Sequence, residues 1–312
     1  MGVECMAATK TLNQKKKMRN VNNTAYLMVL PFVIVFLIFN VYPVLRTLQI
    51  SFTNYKGYGD MEFAGFANYV RVFKDKYFWK ALGNTLKIWI PNIILQLGLA
   101  FLLTIVFSDM KYRIKGLAVF RAVYYLPNII ASTSIAFLFQ TLLDWRYGSI
   151  NIALRQLGIV KGMPINWLGS AAIAPFVISV ISAWQWFGNS FIMLMAGVQG
   201  INKDYFEAAS IDGAGRWTTF AKITMPLLKP IMLYVSITSF IGGLQMFDMP
   251  FLMGTVNGNP YGSTQTMIMY LYKFGFATRP KQVGYASAIA YVIFFLILIV
   301  SVVQFKVMGQ ED

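Results

Sequence analysis

Six apolar runs separated by polar links organise the 312-residue chain, near residues 26–45, 86–107, 117–143, 171–198, 231–253 and 285–305. At about 1.5 Å of rise per residue, each is long enough to cross about 30 Å of hydrocarbon as a helix. The pattern predicts an all-α, polytopic membrane protein with six transmembrane helices. Six crossings put both ends on one side. Lys10, Lys15, Lys16, Lys17 and Arg19 precede the first run, and basic residues of this kind are retained in the cytoplasm, so both termini are expected there. The links 108–116, with Lys111, Arg113 and Lys115, and 199–230 then face inward, and three longer links face outward. The first run is longer than the core of a cleavable signal and no small-residue cleavage site follows it, so it is expected to remain as a helix.

Prolines interrupt the spans at Pro31, Pro91, Pro127 and Pro175. Neighbouring helices can satisfy the carbonyls that proline frees, which argues for a packed bundle. The outer loop 51–82 carries Phe66, Tyr69, Phe73, Tyr77, Phe78 and Trp79, several at helical spacing. That fits an interfacial helix with aromatics at headgroup depth, or a docking surface for an external partner. Arg121, close to the edge of the third run, is expected to snorkel toward water.

Composition narrows the chemistry. The chain is 57% hydrophobic and 12% charged, with a mean hydropathy of +0.57. It has no histidine, which removes Ser-His-Asp and Cys-His arrangements and the commonest metal ligand. Its one cysteine, Cys5, allows neither an internal disulfide nor a cysteine-based zinc site. The net charge of +15 is scattered over links, with no basic face interleaved with stacking aromatics, so it reads as a topology signal and not as a nucleic-acid surface.

One inward link breaks the apolar pattern with EAASIDGAGRWTTFAKITMPLLKP, residues 207–230. Asn202 is placed to cap a helix over 203–212, and Asp204 in its first turn complements the helix dipole. Gly213 and Gly215 end that helix, permitting the positive torsions of a tight reversal. A second helical stretch over 216–228 leads through Pro226 and Pro230 back into the bilayer. Ala208, Ala209 and Gly213 would leave a smooth patch for close approach, flanked by Glu207 and Asp212 as hydrogen-bond acceptors.

Glu207-Ala208-Ala209, then Asp212-Gly213-Ala214, followed by Phe220, Ile223, Pro226 and Pro230, closely resembles the EAA loop of the membrane subunits of bacterial ABC importers, in the form found in the carbohydrate-uptake, type I branch. Asn84-Thr85, the stretch Pro164-Ile165-Asn166-Trp167-Leu168, and Asn257-Gly258-Asn259-Pro260 are similar to the same branch, so the likeness spans most of 25–308. It implies a type I permease fold in a bacterial plasma membrane. The domains would be a cytoplasmic tail at 1–24, a first helix and outer loop at 25–80, and a type-1 transmembrane unit at 81–308 containing the coupling loop 201–230. It further implies that Glu207, Ala208, Ala209, Asp212, Gly213 and Ala214 couple to a cytoplasmic ABC ATPase dimer. The other implied partners are a second, different permease chain and an extracytoplasmic sugar-binding protein. This chain would bind no cofactor, since ATP and Mg would sit on the ATPase. The sequence itself contains no G-x-x-x-x-G-K-[ST]; the nearest stretch, Gly258 to Ser263, lacks the lysine.

Polar residues inside the fourth and fifth runs are candidates for a substrate path. Ser182, Gln185, Trp186 and Asn189 fall on one helical face, and Gln245 and Asp248 repeat the three-residue spacing in the fifth run. Amides, one carboxylate and an indole suit a sugar, which offers hydroxyl edges and apolar ring faces. Hydrogen-bonded glue between helices would use the same residue types. The reading is a permease importing a carbohydrate, an oligosaccharide in particular. A stand-alone carrier or channel, and an ABC permease for a non-sugar solute, remain alternatives.

Overall fold

The computed structural model describes residues 25–107 and 116–309. The tail, its basic cluster, and the inward link residues Lys111, Arg113 and Lys115 lie outside the described residues. Among the described residues the chain is helical, with no strand beyond an isolated bridge between Thr53 and Phe63. Helix α1 spans Ala25–Ser51 and contains a π turn at Leu37–Val41. A short α2 (Ala67–Lys74) precedes the long α3 (Lys76–Phe107). Then come α4 (Leu117–Ile129), α5 (Ser132–Leu142) and the outer α6 (Ser149–Gln156). Helix α7 (Ala174–Gln199) leads into the short α8 (Lys203–Ile211). Next, α9 (Arg216–Thr219) continues through a π turn at Phe220–Thr224. The chain closes with α10 (Lys229–Leu244), α11 (Asp248–Gly254), α12 (Met267–Tyr272) and α13 (Val283–Gly309).

Two of the apolar runs are not the continuous helices that hydropathy predicts. The third is broken between α4 and α5, whose axes differ by 88°, because Ile130 and Ala131 are extended after Pro127. The fifth is broken between Leu244 and Asp248, so Gln245 and Asp248 share no continuous helix. Among the described residues, five helices, or six if the bent pair counts as one span, are long and apolar enough to cross a membrane. Pro175 also differs from expectation: it sits in the first turn of α7, where its missing N–H costs nothing.

Helix α7 is the centre of the bundle, with 67% of its apolar window buried, whereas none of the corresponding window of α1 is. It packs most extensively on α3, then on α4. At Gly188 the α4 backbone comes so close that a Cβ would lie 2.0 Å from the Tyr124 carbonyl oxygen. A polar seam joins α7 to α3. Ser179 Oγ donates to the Ile88 carbonyl at 2.7 Å, Asn92 Nδ2 donates to the Ser179 carbonyl at 3.3 Å, and Gln96 Nε2 donates to Ser190 Oγ at 2.8 Å. With lipid outside, apolar burial between helices drives little, and small residues and hydrogen bonds carry more of the association. Arg121, expected to snorkel, is half-buried; with the Gln199 amide oxygen turned toward it, Gln199 accepts from both its terminal nitrogens, at 2.8 and 2.5 Å.

The outer end is closed by a second polar cluster. Asp75, between α2 and α3, accepts from the hydroxyls of Tyr270 at 2.5 Å and Tyr285 at 2.7 Å, and Arg71 lies 3.8 Å over the Tyr285 ring. Burial would raise the Asp75 carboxyl, but the bonds from Tyr270 and Tyr285 and from the N–H groups of Tyr77 and Phe78 outweigh it and hold its pKa below the usual value. Of the aromatics in this loop, Phe78 is wholly buried, while Phe66, Phe73 and Tyr77 are exposed. Residues of two motifs noted in sequence, Asn84-Thr85 and Ile165, are held by hydrogen bonds of their own. Asn84 Nδ2 donates to the Gly262 carbonyl at 2.7 Å, the Met267 N–H donates to Thr85 Oγ1 at 3.0 Å, and Asn151 Nδ2 holds the Ile165 carbonyl at 2.9 Å.

Candidate functional site

Both helix breaks open onto one cavity of about 460 Å³, lined from α3, α5, α7, α10 and α11. The break after α10 is supported chemically: Thr266 Oγ1 donates to the Met246 carbonyl at 2.8 Å, and the Met246 N–H reaches the Gly243 carbonyl at 3.3 Å. Trp89 braces the end of α10, donating from Nε1 to the Ser239 carbonyl at 3.3 Å and packing edge-on against Phe240. Irregular backbone is tolerated at membrane depth where it is buried in protein or lines a cavity, and here it does both. The break after α4 places Ser132 at the first position of α5, where its Oγ accepts from Gln185 Nε2 at 3.2 Å.

All six candidate path residues line this cavity: Ser182, Gln185, Trp186 and Asn189 from α7, Gln245 at the break and Asp248 from α11. The sequence spacing placed the α7 group correctly. For Gln245 and Asp248 the shared helical face was wrong, and the break brings them to the cavity instead. Sequence reasoning missed Asn92 and Gln96 on α3 and Tyr234 and Thr238 on α10, which also line it. Each of those pairs is four residues apart, so the spacing rule applied to α7 could have found them. Trp184 is outside the lining and packs edge-on against Phe139.

The lining side chains differ in what they already touch. Gln185 and Gln96 each donate one hydrogen bond to a neighbouring helix. Ser182 is 3% exposed, yet its Oγ has no partner among the described residues. The side chains of Asn189, Gln245 and Asp248 likewise make no hydrogen bond among the described residues, and Trp186 is 48% exposed. A hydroxyl, two amides, a carboxylate and an indole thus face one open volume. Such a wall can hold a ligand that presents hydroxyls at its edges and carbon on its faces.

The inward link forms the second candidate region. Asn202 caps α8 by accepting from the Asp204 N–H at 3.2 Å, as its position predicts. Gly213 takes the left-handed conformation at φ 71°, and the Ala214 N–H returns to the Ala209 carbonyl at 2.9 Å, closing the helix. Gly215, expected to share this role, has no positive φ. Glu207, Ala208, Asp212 and Gly213 are exposed, Ala214 is half-buried, and Ala209 is buried together with Phe206. The smooth patch therefore omits Ala209, which faces the chain's own interior. Ile211 and Trp217, both strongly exposed, add apolar surface beside it that sequence reasoning did not single out. The link is anchored through Phe220, Thr224 and Leu228, all buried, and Ile231 then packs into the cluster around Phe191 and Leu194 of α7.

Comparison with known proteins agrees with this architecture. The sequence pattern of the family described as binding-protein-dependent transport system inner membrane component matches residues 100–307. The lactose transport system permease protein LacF of Rhizobium radiobacter is 34% identical over 299 residues, 96% of this chain and 97% of its own length. The trehalose/maltose transport system permease protein MalF of Thermococcus litoralis is 32% identical, over 95% of this chain and 97% of its own. The arabinooligosaccharides transport system permease protein AraP of Bacillus subtilis is 30% identical, over 91% and 88% respectively. Among solved structures, a chain of a bacterial ABC transporter involved in the import of the acidic polysaccharide alginate superposes with a TM-score of 0.79 at 23% identity, covering 96% of this chain and 99% of that one. A chain of the alginate transporter in complex with its alginate pentasaccharide-bound periplasmic protein gives 0.78 at 24% identity, covering 95% and 98%.

Proposed function

The chain belongs to the family of binding-protein-dependent transport system inner membrane components, and from that premise we propose that its central cavity is the path of an imported oligosaccharide. It is the membrane permease of a carbohydrate ABC importer. The observation that carries the path is the convergence of Ser182, Trp186, Asn189, Gln245 and Asp248, from two separate parts of the chain, on one volume. Trp186 offers a flat apolar face for a sugar ring, and the amides and carboxylate offer partners for its hydroxyls.

Energy reaches this path through the inward link. In this reading the exposed face of α8, with Glu207, Ala208, Asp212 and Gly213, docks on a cytoplasmic ATPase that holds ATP and Mg, while Ala209 and Ala214 shape the helix from beneath. A push on α8 passes through the buried anchor at Phe220 and Leu228 into α10 and α7, the two helices that contribute most of the wall. Alternating access follows when those helices shift against α3. A second, different permease chain completes the enclosure, an extracytoplasmic sugar-binding protein delivers cargo, and both termini lie in the cytoplasm.

Gly213→Trp in the assembled complex tests the coupling. The expected outcome is assembly with its partners but loss of ATP-driven uptake and of ATPase stimulation by the binding protein. Unimpaired uptake would sink the role of α8. Uptake by the isolated chain in liposomes, without ATP or partners, would replace the reading with that of a stand-alone carrier.

A further inference from the structure

Among the described residues, Asp248 is the one acidic side chain in the cavity wall, and no lysine or arginine lines it. The carboxylate makes no hydrogen bond or ion pair among the described residues. Across from it on α7, Ser182 is nine-tenths buried with an unpartnered hydroxyl, and Asn189 has a free amide. A protein does not ordinarily leave a buried hydroxyl unpaired unless something arrives to pair it. The wall that this chain contributes therefore presents one carboxylate among neutral donors and acceptors, with no basic side chain of the described residues beside it.

We propose that Asp248 is a specificity-determining residue that restricts the path to saccharides without acidic groups. The inference rests on the cavity being the sugar path. A neutral ring can give two adjacent hydroxyls to the carboxylate, forming charge-assisted hydrogen bonds while Ser182 and Asn189 hold another edge. A uronate ring brings a second carboxylate close to the first, and like charges juxtaposed in this way repel. Among the described residues of this chain, no guanidinium or ammonium lines the cavity to absorb that repulsion. This chain thus shares its fold with a transporter of an acidic polysaccharide, while its own wall carries the opposite charge preference.

The test uses the complete complex in nanodiscs without the binding protein, so that only the membrane path selects. Galactobiose and digalacturonate, which differ in hydroxymethyl against carboxylate, are compared by equilibrium dialysis. Galactobiose is expected to bind at least about tenfold more tightly to the wild type, and Asp248→Asn is expected to bring the two within about threefold. Asp248→Glu keeps the preference. A measurement on the wild type alone adds a second arm: raising ionic strength narrows the gap by strengthening digalacturonate binding. Equal affinities in the wild type, an unchanged ratio in Asp248→Asn, or a gap indifferent to salt would each overturn the filter and leave the sugar path standing. Failure of galactobiose, lactose and arabinobiose alike to bind the wild-type complex takes down the path and the filter with it.

Discussion

The two faces of α7 carry similar polar residues and treat them in opposite ways. Toward α3, Ser179 and Ser190 are paired with Ile88, Asn92 and Gln96 in a closed set of hydrogen bonds. Toward the cavity, Ser182 and Asn189 are left without partners among the described residues. Residue type alone cannot separate structural glue from a substrate path, because a serine or an amide serves either. Satisfaction does separate them. A polar side chain that already has its partners holds the bundle together, and one that lines an open volume without them is available to something that passes through.

The comparison can be broken most forcefully at the packed face. Gly188→Leu drives a side chain into the Tyr124 backbone, and we expect a loss of about 3 kcal/mol or more, read as failed assembly or a collapsed melting temperature of the purified complex. Next comes the open face: Asn189→Leu should lower transport efficiency about tenfold, roughly 1.4 kcal/mol, with the melting temperature almost unchanged. Gln96→Leu sharpens the contrast from the other side. It removes the donor to Ser190 and should cost about 0.6 kcal/mol of stability, and because Gln96 also touches the cavity, any change in sugar affinity should be smaller than that of Asn189→Leu. An Asn189→Leu variant that melts early and transports normally would reverse the assignment of the two faces.

The smallest effect concerns the outer clamp, which is satisfied like the seam. Asp75 has a lowered folded pKa, so its stabilising share is fully present above the usual carboxylate pKa and is lost as pH falls through the lowered value. Melting curves of wild type and Asp75→Asn should therefore differ near neutral pH and converge in acid. Parallel curves across that range would mean the clamp contributes nothing through its charge.

Much of this architecture was legible in the apolar rhythm. Run length gave the number and rough place of the spans, because the hydrocarbon thickness fixes what a helix must cover. The breaks were not legible. Ile130 and Ala131 continue the hydropathy of their neighbours although the backbone there is extended, and the serine that follows the turn is held by a glutamine from elsewhere in the chain. Similarly, the stretch from Leu244 to Asp248 looks like little more than one further turn of helix until Thr266, about 20 residues on, takes the carbonyl that the break sets free. Asn84-Thr85 was visible as a mark of a family, but its physical purpose appears only when it is seen fastening α3 to Gly262 and Met267. Ala209 shows the same limit: sequence places it in the motif, and only packing reveals that it faces inward.

The wide turn at Phe220–Thr224 lies within the inward link, between α8 and α10. A π turn holds about one residue more than an α turn. Drawing that residue back into regular helix would rotate everything beyond it by about 100° and shift it by about 1.5 Å along the axis. The segment joining α8 to the cavity wall thus contains the equivalent of a single gear tooth, a discrete increment of rotation set by the geometry of the backbone.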